Sequence, residues 1–218
     1  MDLYLGTADG KVLHLQSLSS RHPVWEISPT NWGFTGDIDV GSNAAPAVVD
    51  LGFDNRRDLV VGNHEGIIAA YINQISDTAA KWEYGWSFNT GVPDAVPTLN
   101  PRALNDLFVG NNLGTVRHFV SRYSTSPSWE LDSEQFGGID VGRAAQPLLV
   151  DLNGDAAMDL LVGEQNGGLN FWINSRPGAM IAPRAITLAE GQTATFTHNA
   201  SQVRWDLHTA TLDSSMDS

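Results

Sequence analysis

The residues with the most evident chemical use sit in "DLNGDAAMD" (151–159), where Asp151, Asn153, Asp155 and Asp159 crowd one short segment. Immediately afterwards the chain turns apolar, "LLVG", and then reaches a glycine pair and aromatics, "GGLNFW". A hard cation such as Ca²⁺ takes six to eight oxygen ligands at about 2.3–2.6 Å, and a short loop with oxygens at alternate positions can wrap around one. Without a cation, clustered carboxylates repel one another. The competing reading is an Asx-turn hairpin that needs no metal.

Other chemistries find little support. The histidines His14, His22, His64, His118, His198 and His208 are scattered, with no HxxxH or HExxH spacing. His14 and His118 each follow a glycine by four residues, as strand positions in a repeat do. The serines of "SSRH" and "SRYSTSPS" lack a GxSxG elbow, and neither a GxGxxG nor a Walker loop occurs. Cysteine is absent, which removes disulfides, zinc thiolates and a thiol nucleophile. The net charge of −13 repels phosphate backbones and anionic membrane faces, so nucleic acid is not an expected partner and cations are favoured. No apolar run approaches the ~20 residues of a membrane span. "MDLYLGTADG" has neither a basic start nor a long apolar core, so no signal peptide is visible; the chain reads as a fragment that opens directly into a strand.

The elements that must hold the acidic segment recur along the chain. "DLYLGTADGKVLHLQ", "DLVVGNHEGIIAAYIN", "DLFVGNNLGTVRHFV" and "DLLVGEQNGGLNFWIN" start at Asp2, Asp58, Asp106 and Asp159. Each closes its first strand on a glycine (Gly6, Gly62, Gly110, Gly163) and carries a second one four residues on (Gly10, Gly66, Gly114, Gly167). Trp25-Glu26, Trp82-Glu83 and Trp129-Glu130 follow at steady distance. "IDVGSNAAPAVVD" (38–50) and "IDVGRAAQPLLVD" (139–151) lead into the next copy, with a weaker "GVPDAVPTLN" between them. Each unit therefore predicts four strands: a Pro-led apolar strand, the DLxVG strand, an aromatic strand after a glycine hairpin, and an outer Trp-Glu strand. A single unit leaves apolar faces uncovered, so neighbours must stack. A period near fifty with four strands is the signature of propeller blades. Repetition assigns the Trp-Glu pairs, Asp39 and Asp140 to architecture rather than to one catalytic centre.

"AAPAVVDLGFDNRRDLVVGNHEGIIAAYIN" and "AAQPLLVDLNGDAAMDLLVGEQNGGLNFWIN" resemble FG-GAP/VCBS repeats, the calcium-binding propeller blades of integrin alpha chains and many bacterial surface proteins. The resemblance spans residues 1–175. It implies calcium held by Asp151, Asn153, Asp155 and Asp159 with the backbone carbonyl of Ala157. It implies a second, degraded site at Asp50, Asp54 and Asp58, where Gly52 replaces a ligand and Arg56 and Arg57 add positive charge. "NPRALND" (100–106) is two residues shorter and is expected to bind nothing. Ala156 stands where the family often has a glycine that permits positive φ.

Loops 28–37, with Trp32 and Phe34, and 85–94, with Trp86 and Phe88, are aromatic and polar, suited either to carbohydrate or protein recognition or to packing on a neighbouring blade. Residues 176–185 form a Pro/Gly-bearing linker. Residues 186–218 alternate with period two and resemble the start of a bacterial immunoglobulin-like domain, too short to complete one. Either that domain is truncated or these strands complete a blade, with the open leading edge of the first unit as one destination.

The expectation is an all-β chain of about three and a half four-stranded blades, as a four-bladed ring or part of a larger propeller, with a C-terminal β extension. The expected function is a non-catalytic, calcium-stabilised binding or adhesion module, exported or at the cell surface, which recognises protein or glycan and self-associates through open blade edges. The alternative is the propeller portion of a polysaccharide lyase or glycoside hydrolase. There Arg102, Arg117, Arg122 and Arg143 are the basic residues available to a uronate. A purely structural spacer is the third reading.

Overall fold

The computed structural model describes residues 2–19, 24–27, 38–52, 54–76, 80–100, 106–121 and 128–174, together with three short strands at 186–188, 195–196 and 205–206. Among them the chain is all-β, apart from one 3-10 turn at Phe136–Gly138. No described helix is long and apolar enough to cross a membrane.

Four antiparallel sheets follow one another along the chain. Strands β1 (Asp2–Gly6), β2 (Val12–Ser17) and β3 (Trp25–Ile27) form the first. The second holds β4 (Ala45–Val49), β5 (Asp58–Gly62), β6 (Ile67–Asn73) and β7 (Trp82–Asn89). The third holds β8 (Val96–Leu99), β9 (Asp106–Gly110), β10 (Val116–Ser121) and β11 (Trp129–Ser133). The fourth holds β12 (Gln146–Val150), β13 (Asp159–Gly163), β14 (Leu169–Trp172) and β15 (Ile186–Leu188). A separate hairpin pairs β16 (Thr195–Phe196) with β17 (Trp205–Asp206). Each of the four sheets is a meander in chain order, and the Trp-Glu pairs open β3, β7 and β11 as their spacing predicts.

Three cores lie between consecutive sheets. Leu59 and Val61 of β5 face the first sheet, where they meet Val12 and Ile38. Val60, between them, faces the third sheet with Ile68 and Ala70, and meets Leu107, Val109 and Phe119. Phe108 of β9 points the other way, to Leu149, Leu160 and Val162 of the fourth sheet. The period-two alternation of a strand therefore feeds two cores at once, which is why DLxVG reads as a continuous apolar run.

A steric device repeats at each junction. A Cβ on Gly6 would sit 1.7 Å from the Ala44 carbonyl oxygen; on Gly62, 1.9 Å from that of Ala95; on Gly110, 2.1 Å from that of Ala145. Only glycine lets the backbone of the next sheet approach so closely. Ala44, Ala95 and Ala145 then donate their amides to the carbonyls of Thr7, Asn63 and Asn111. At Gly163 a Cβ would meet nothing nearer than Gln146 Cβ, at 3.9 Å, and among the described residues no further sheet docks against it.

The C-terminal strands differ from one expectation. β15 pairs with the outer edge of β14, at Leu169↔Leu188, Asn170↔Thr187 and Phe171↔Ile186, and so completes the fourth sheet. The leading edge of the first sheet is not filled by it: among the described residues β1 is an edge strand.

Candidate functional site

The acidic loop 151–158 connects β12 to β13, and its hydrogen bonds are local. Asp151 accepts the amides of Gly154 (2.7 Å) and Ala156 (3.0 Å). Asn153 Oδ1 accepts the amide of Asp155 at 2.9 Å, and Asp155 Oδ1 accepts that of Ala157 at 2.8 Å. Asn153 Nδ2 donates to Asp155 Oδ2 at 3.0 Å. These are Asx turns, in which side-chain oxygens take up the amides of a tight loop. Ala156 adopts φ 70°, the left-handed region where a glycine is free and an alanine is strained.

Asp159 is set apart from the other acids. It is fully buried at the start of β13, and both oxygens accept backbone amides: Leu152 at 2.9 Å from the loop and Asn174 at 2.8 Å from beyond β14. Asp58 repeats this arrangement with Leu51 and Asn73, each at 2.8 Å. Burial pushes both carboxyls above their ordinary value, against the amide bonds, and the neighbouring acids Asp155 and Asp151, or Asp54 and Asp50, push the same way. Asp58 and Asp159 thus each tie three segments of their sheets together.

Among the described residues no three acidic or histidine side chains converge as a metal-ligand group. The donor chemistry of 151–159 nevertheless fits a hard cation. All donors are oxygens, and a carboxylate oxygen that accepts one amide keeps a second lone pair. The contact that must open is the one between Asn153 and Asp155. In the second loop Asp50 accepts the amides of Asp54 (3.1 Å) and Asn55 (2.9 Å), while Arg56 forms an ion pair with Asp54 and supplies positive charge from within the chain. In the third sheet Asn100 donates to Asp106 Oδ2 at 3.4 Å.

The third sheet also holds a feature that spacing alone does not reveal. His118, 2% exposed at its side chain, lies between Asp132 (Nδ1 to Oδ2, 2.9 Å) and Asp106 (Nε2 to Oδ1, 3.3 Å). Its ring stacks on Phe108 at 4.5 Å, as His14 stacks on Tyr4 at 4.9 Å. Burial opposes charge on His118, but the hydrogen bonds and charges of Asp106 and Asp132 outweigh it and raise its pKa.

A cavity of about 390 Å³ lies between the turns ahead of β4, β8 and β12 and the hairpins that follow β1 and β9, lined by Thr7, Asn43, Asp94, Asn112, Ala144 and Gln146 among others. Asn43, Asp94 and Ala144 occupy equivalent turns ahead of β4, β8 and β12, all at positive φ (51°, 54° and 53°). Asp94 Oδ1 receives Asn43 Nδ2 at 2.9 Å and pairs with His64 Nδ1 at 2.7 Å. Burial opposes its ionisation, yet His64 and Asn43 hold its carboxyl below the usual range. The lining is mostly apolar, with Ala44, Ala95, Val96 and Ala145 beside these polar residues.

The aromatic candidates separate. Trp32 and Phe34 lie outside the described residues. Trp86 and Phe88 are not loop residues: they belong to β7 and pack on the core between the second and third sheets. Trp86 meets Trp129 at 6.1 Å and Phe88 meets Phe119 edge-on at 5.0 Å, so the packing alternative describes their position. Arg117 donates to the Thr90 carbonyl at 3.0 Å and bridges the same two sheets; Arg102 and Arg122 lie outside the described residues.

A scan against protein-family models matches none, and a search of curated proteins returns no relative. Among solved structures, the chain is similar to the crystal structure of the Saccharomyces cerevisiae Sqt1, at 16% identity and a TM-score of 0.47. The match covers 78% of this chain and 42% of that one, and a likeness at this level supports no statement about function.

Proposed function

We propose that the chain is an arc of a β-propeller, and that it serves as a non-catalytic binding or adhesion module of an exported or cell-surface protein. The observation that carries this reading is the repeated junction, in which Gly6, Gly62 and Gly110 each receive the carbonyl of the next sheet's leading turn. Docking of this kind, repeated from sheet to sheet, would set the sheets around an axis.

Calcium held by Asp151, Asn153, Asp155 and the Ala157 carbonyl, beside Asp159, would neutralise the acidic loop and fix the turn between β12 and β13. Protein or glycan is the expected ligand of the axial face. Leu3 and Leu5 at one end of the arc, and Leu148 and Leu169 at the other, are each more than a third exposed and support self-association. A glycan-binding array run beside a turnover assay on acidic polysaccharides tests the reading. Binding without turnover is the expected outcome, and turnover would move the chain to the polysaccharide-active alternative.

A further inference from the structure

Asn43, Asp94 and Ala144 hold equivalent places in successive sheets, and all three have left-handed backbones. Asn and Asp tolerate that region; alanine adopts it at a cost, and such residues collect at binding sites. Each is held there by its amide, which donates to a hairpin carbonyl of the sheet before. Asn43 donates to Ala8 at 3.1 Å, Asp94 to His64 at 3.0 Å and Ala144 to Asn112 at 3.2 Å. All three line the one cavity, so its wall is fixed by backbone bonds before any ligand arrives.

A volume of about 390 Å³ is that of a small-molecule site. The methyl groups of Ala44, Ala45, Ala95 and Ala145 give it an apolar body, and the polar residues among them are uncharged except for one. Asp94 is the only charged residue among the described lining residues. Its carboxylate is half used. Asn43 Nδ2 and His64 Nδ1 both meet Oδ1, at 2.9 and 2.7 Å, and Oδ2 accepts no hydrogen bond among the described residues. Burial opposes the charge of Asp94, but the bonds from His64 and Asn43 outweigh it and keep the group ionised. Its side chain is 25% exposed, so water screens the charge only in part.

We infer that this cavity binds a small-molecule primary amine, whose ammonium bonds Oδ2 of Asp94 and whose compact apolar body lies against the alanines. Charge excludes an anion, because no basic residue is among the described lining residues to offset Asp94. One free oxygen suits the point charge of an ammonium, whereas a guanidinium is matched by two oxygens in a fork. A quaternary ammonium is held by aromatic faces, and none of the described lining residues is aromatic. A sugar would press hydroxyls against methyl groups that cannot bond them. The inference goes beyond the adhesion reading and does not depend on it.

The test titrates the chain with three ligands that share one apolar body: phenethylamine, 2-phenylethanol and 3-phenylpropionate. Calorimetry is expected to show saturable binding of the amine, at least about tenfold tighter than that of the alcohol or the acid. Asp94→Asn keeps the side chain's shape in a backbone conformation that Asn43 already adopts. It should bring the amine down to the affinity of the alcohol, with an amide NMR spectrum that shows the fold intact. Nα-acetyl-lysine amide carries the same ammonium on a peptide and should bind more weakly than phenethylamine. Equal affinities for the three ligands, no saturation by the amine, or a preference unmoved by Asp94→Asn would overturn the inference. Tighter binding of the lysine derivative would also overturn it, and would give the site to a partner's side chain.

Discussion

The amide of Leu152 donates to Oδ2 of Asp159 at 2.9 Å, and so the acidic loop is closed onto the strand that follows it. Asp58 closes the second sheet's loop on Leu51 in the same way. Asp159→Ala leaves the part-buried amide of Leu152 and the buried amide of Asn174 without their acceptor, at an expected cost of about 2–4 kcal/mol. Chemical denaturation checks this. A loss under about 0.5 kcal/mol, the range of ordinary surface changes, would show that Asp159 is not a structural tie.

Asp155 behaves differently under the calcium reading, because its oxygens bond only within the loop. Asp155→Ala is expected to lower Tm in millimolar calcium and to leave it nearly unchanged in EDTA. An equal drop in both buffers would assign Asp155 to loop geometry alone.

The His118 cluster sets a pH dependence. The folded chain favours the imidazolium between Asp106 and Asp132, so its pKa lies above 6.5. The stability this lends is complete below the ordinary value and is lost as pH rises through the raised one. A melting series from pH 6 to 9 is expected to fall across that window, by about 2–4 °C per kcal/mol lost. His118→Gln should flatten the fall; an unchanged slope would remove His118 as its source.

Much of this arrangement is legible in the sequence, and the reason is geometric. A strand buried on both faces cannot alternate, so DLVVG and DLFVG declare themselves as continuous apolar runs, and the close backbone approach forces glycine at Gly62 and Gly110. Trp82 and Trp129 mark outer strands because they recur. Features that occur once stay hidden. His118 resembles any strand residue until the fold brings Asp132, fourteen positions away, beside it. Trp86 and Phe88 read as a loop because Gly85 interrupts β7, where the ladder shifts register between Ala70 and Tyr71. The acids 151–159 are visible as a cluster, but not the division between Asp159, which ties the sheet, and the loop acids, which cap turns.

The exposed apolar residues of the first and fourth sheets should find each other at high concentration. Leu148 is 54% exposed and Leu169 is 41% exposed on the last sheet; Leu3 and Leu5 are 37% and 42% exposed on the first. The counterparts of Leu3 and Leu5 in the other sheets, Leu59, Val61, Leu107, Val109, Leu160 and Val162, are all at 0%. Sedimentation velocity over a concentration series is expected to show association that Leu148→Glu weakens about tenfold, a loss of ~1.4 kcal/mol. A monomer at all concentrations would leave these faces without a role in self-association.

The central claim, that consecutive sheets dock through the last glycine of DLxVG, is tested most directly by one pair of alanine substitutions. In Gly62→Ala the new methyl would lie 1.9 Å from the Ala95 carbonyl oxygen, so the second and third sheets must part; in Gly163→Ala the nearest atom is at 3.9 Å. Measured by denaturant unfolding, Gly62→Ala should lose about 3 kcal/mol and Gly163→Ala no more than about 0.5 kcal/mol. Equal losses for the two would contradict the docking geometry.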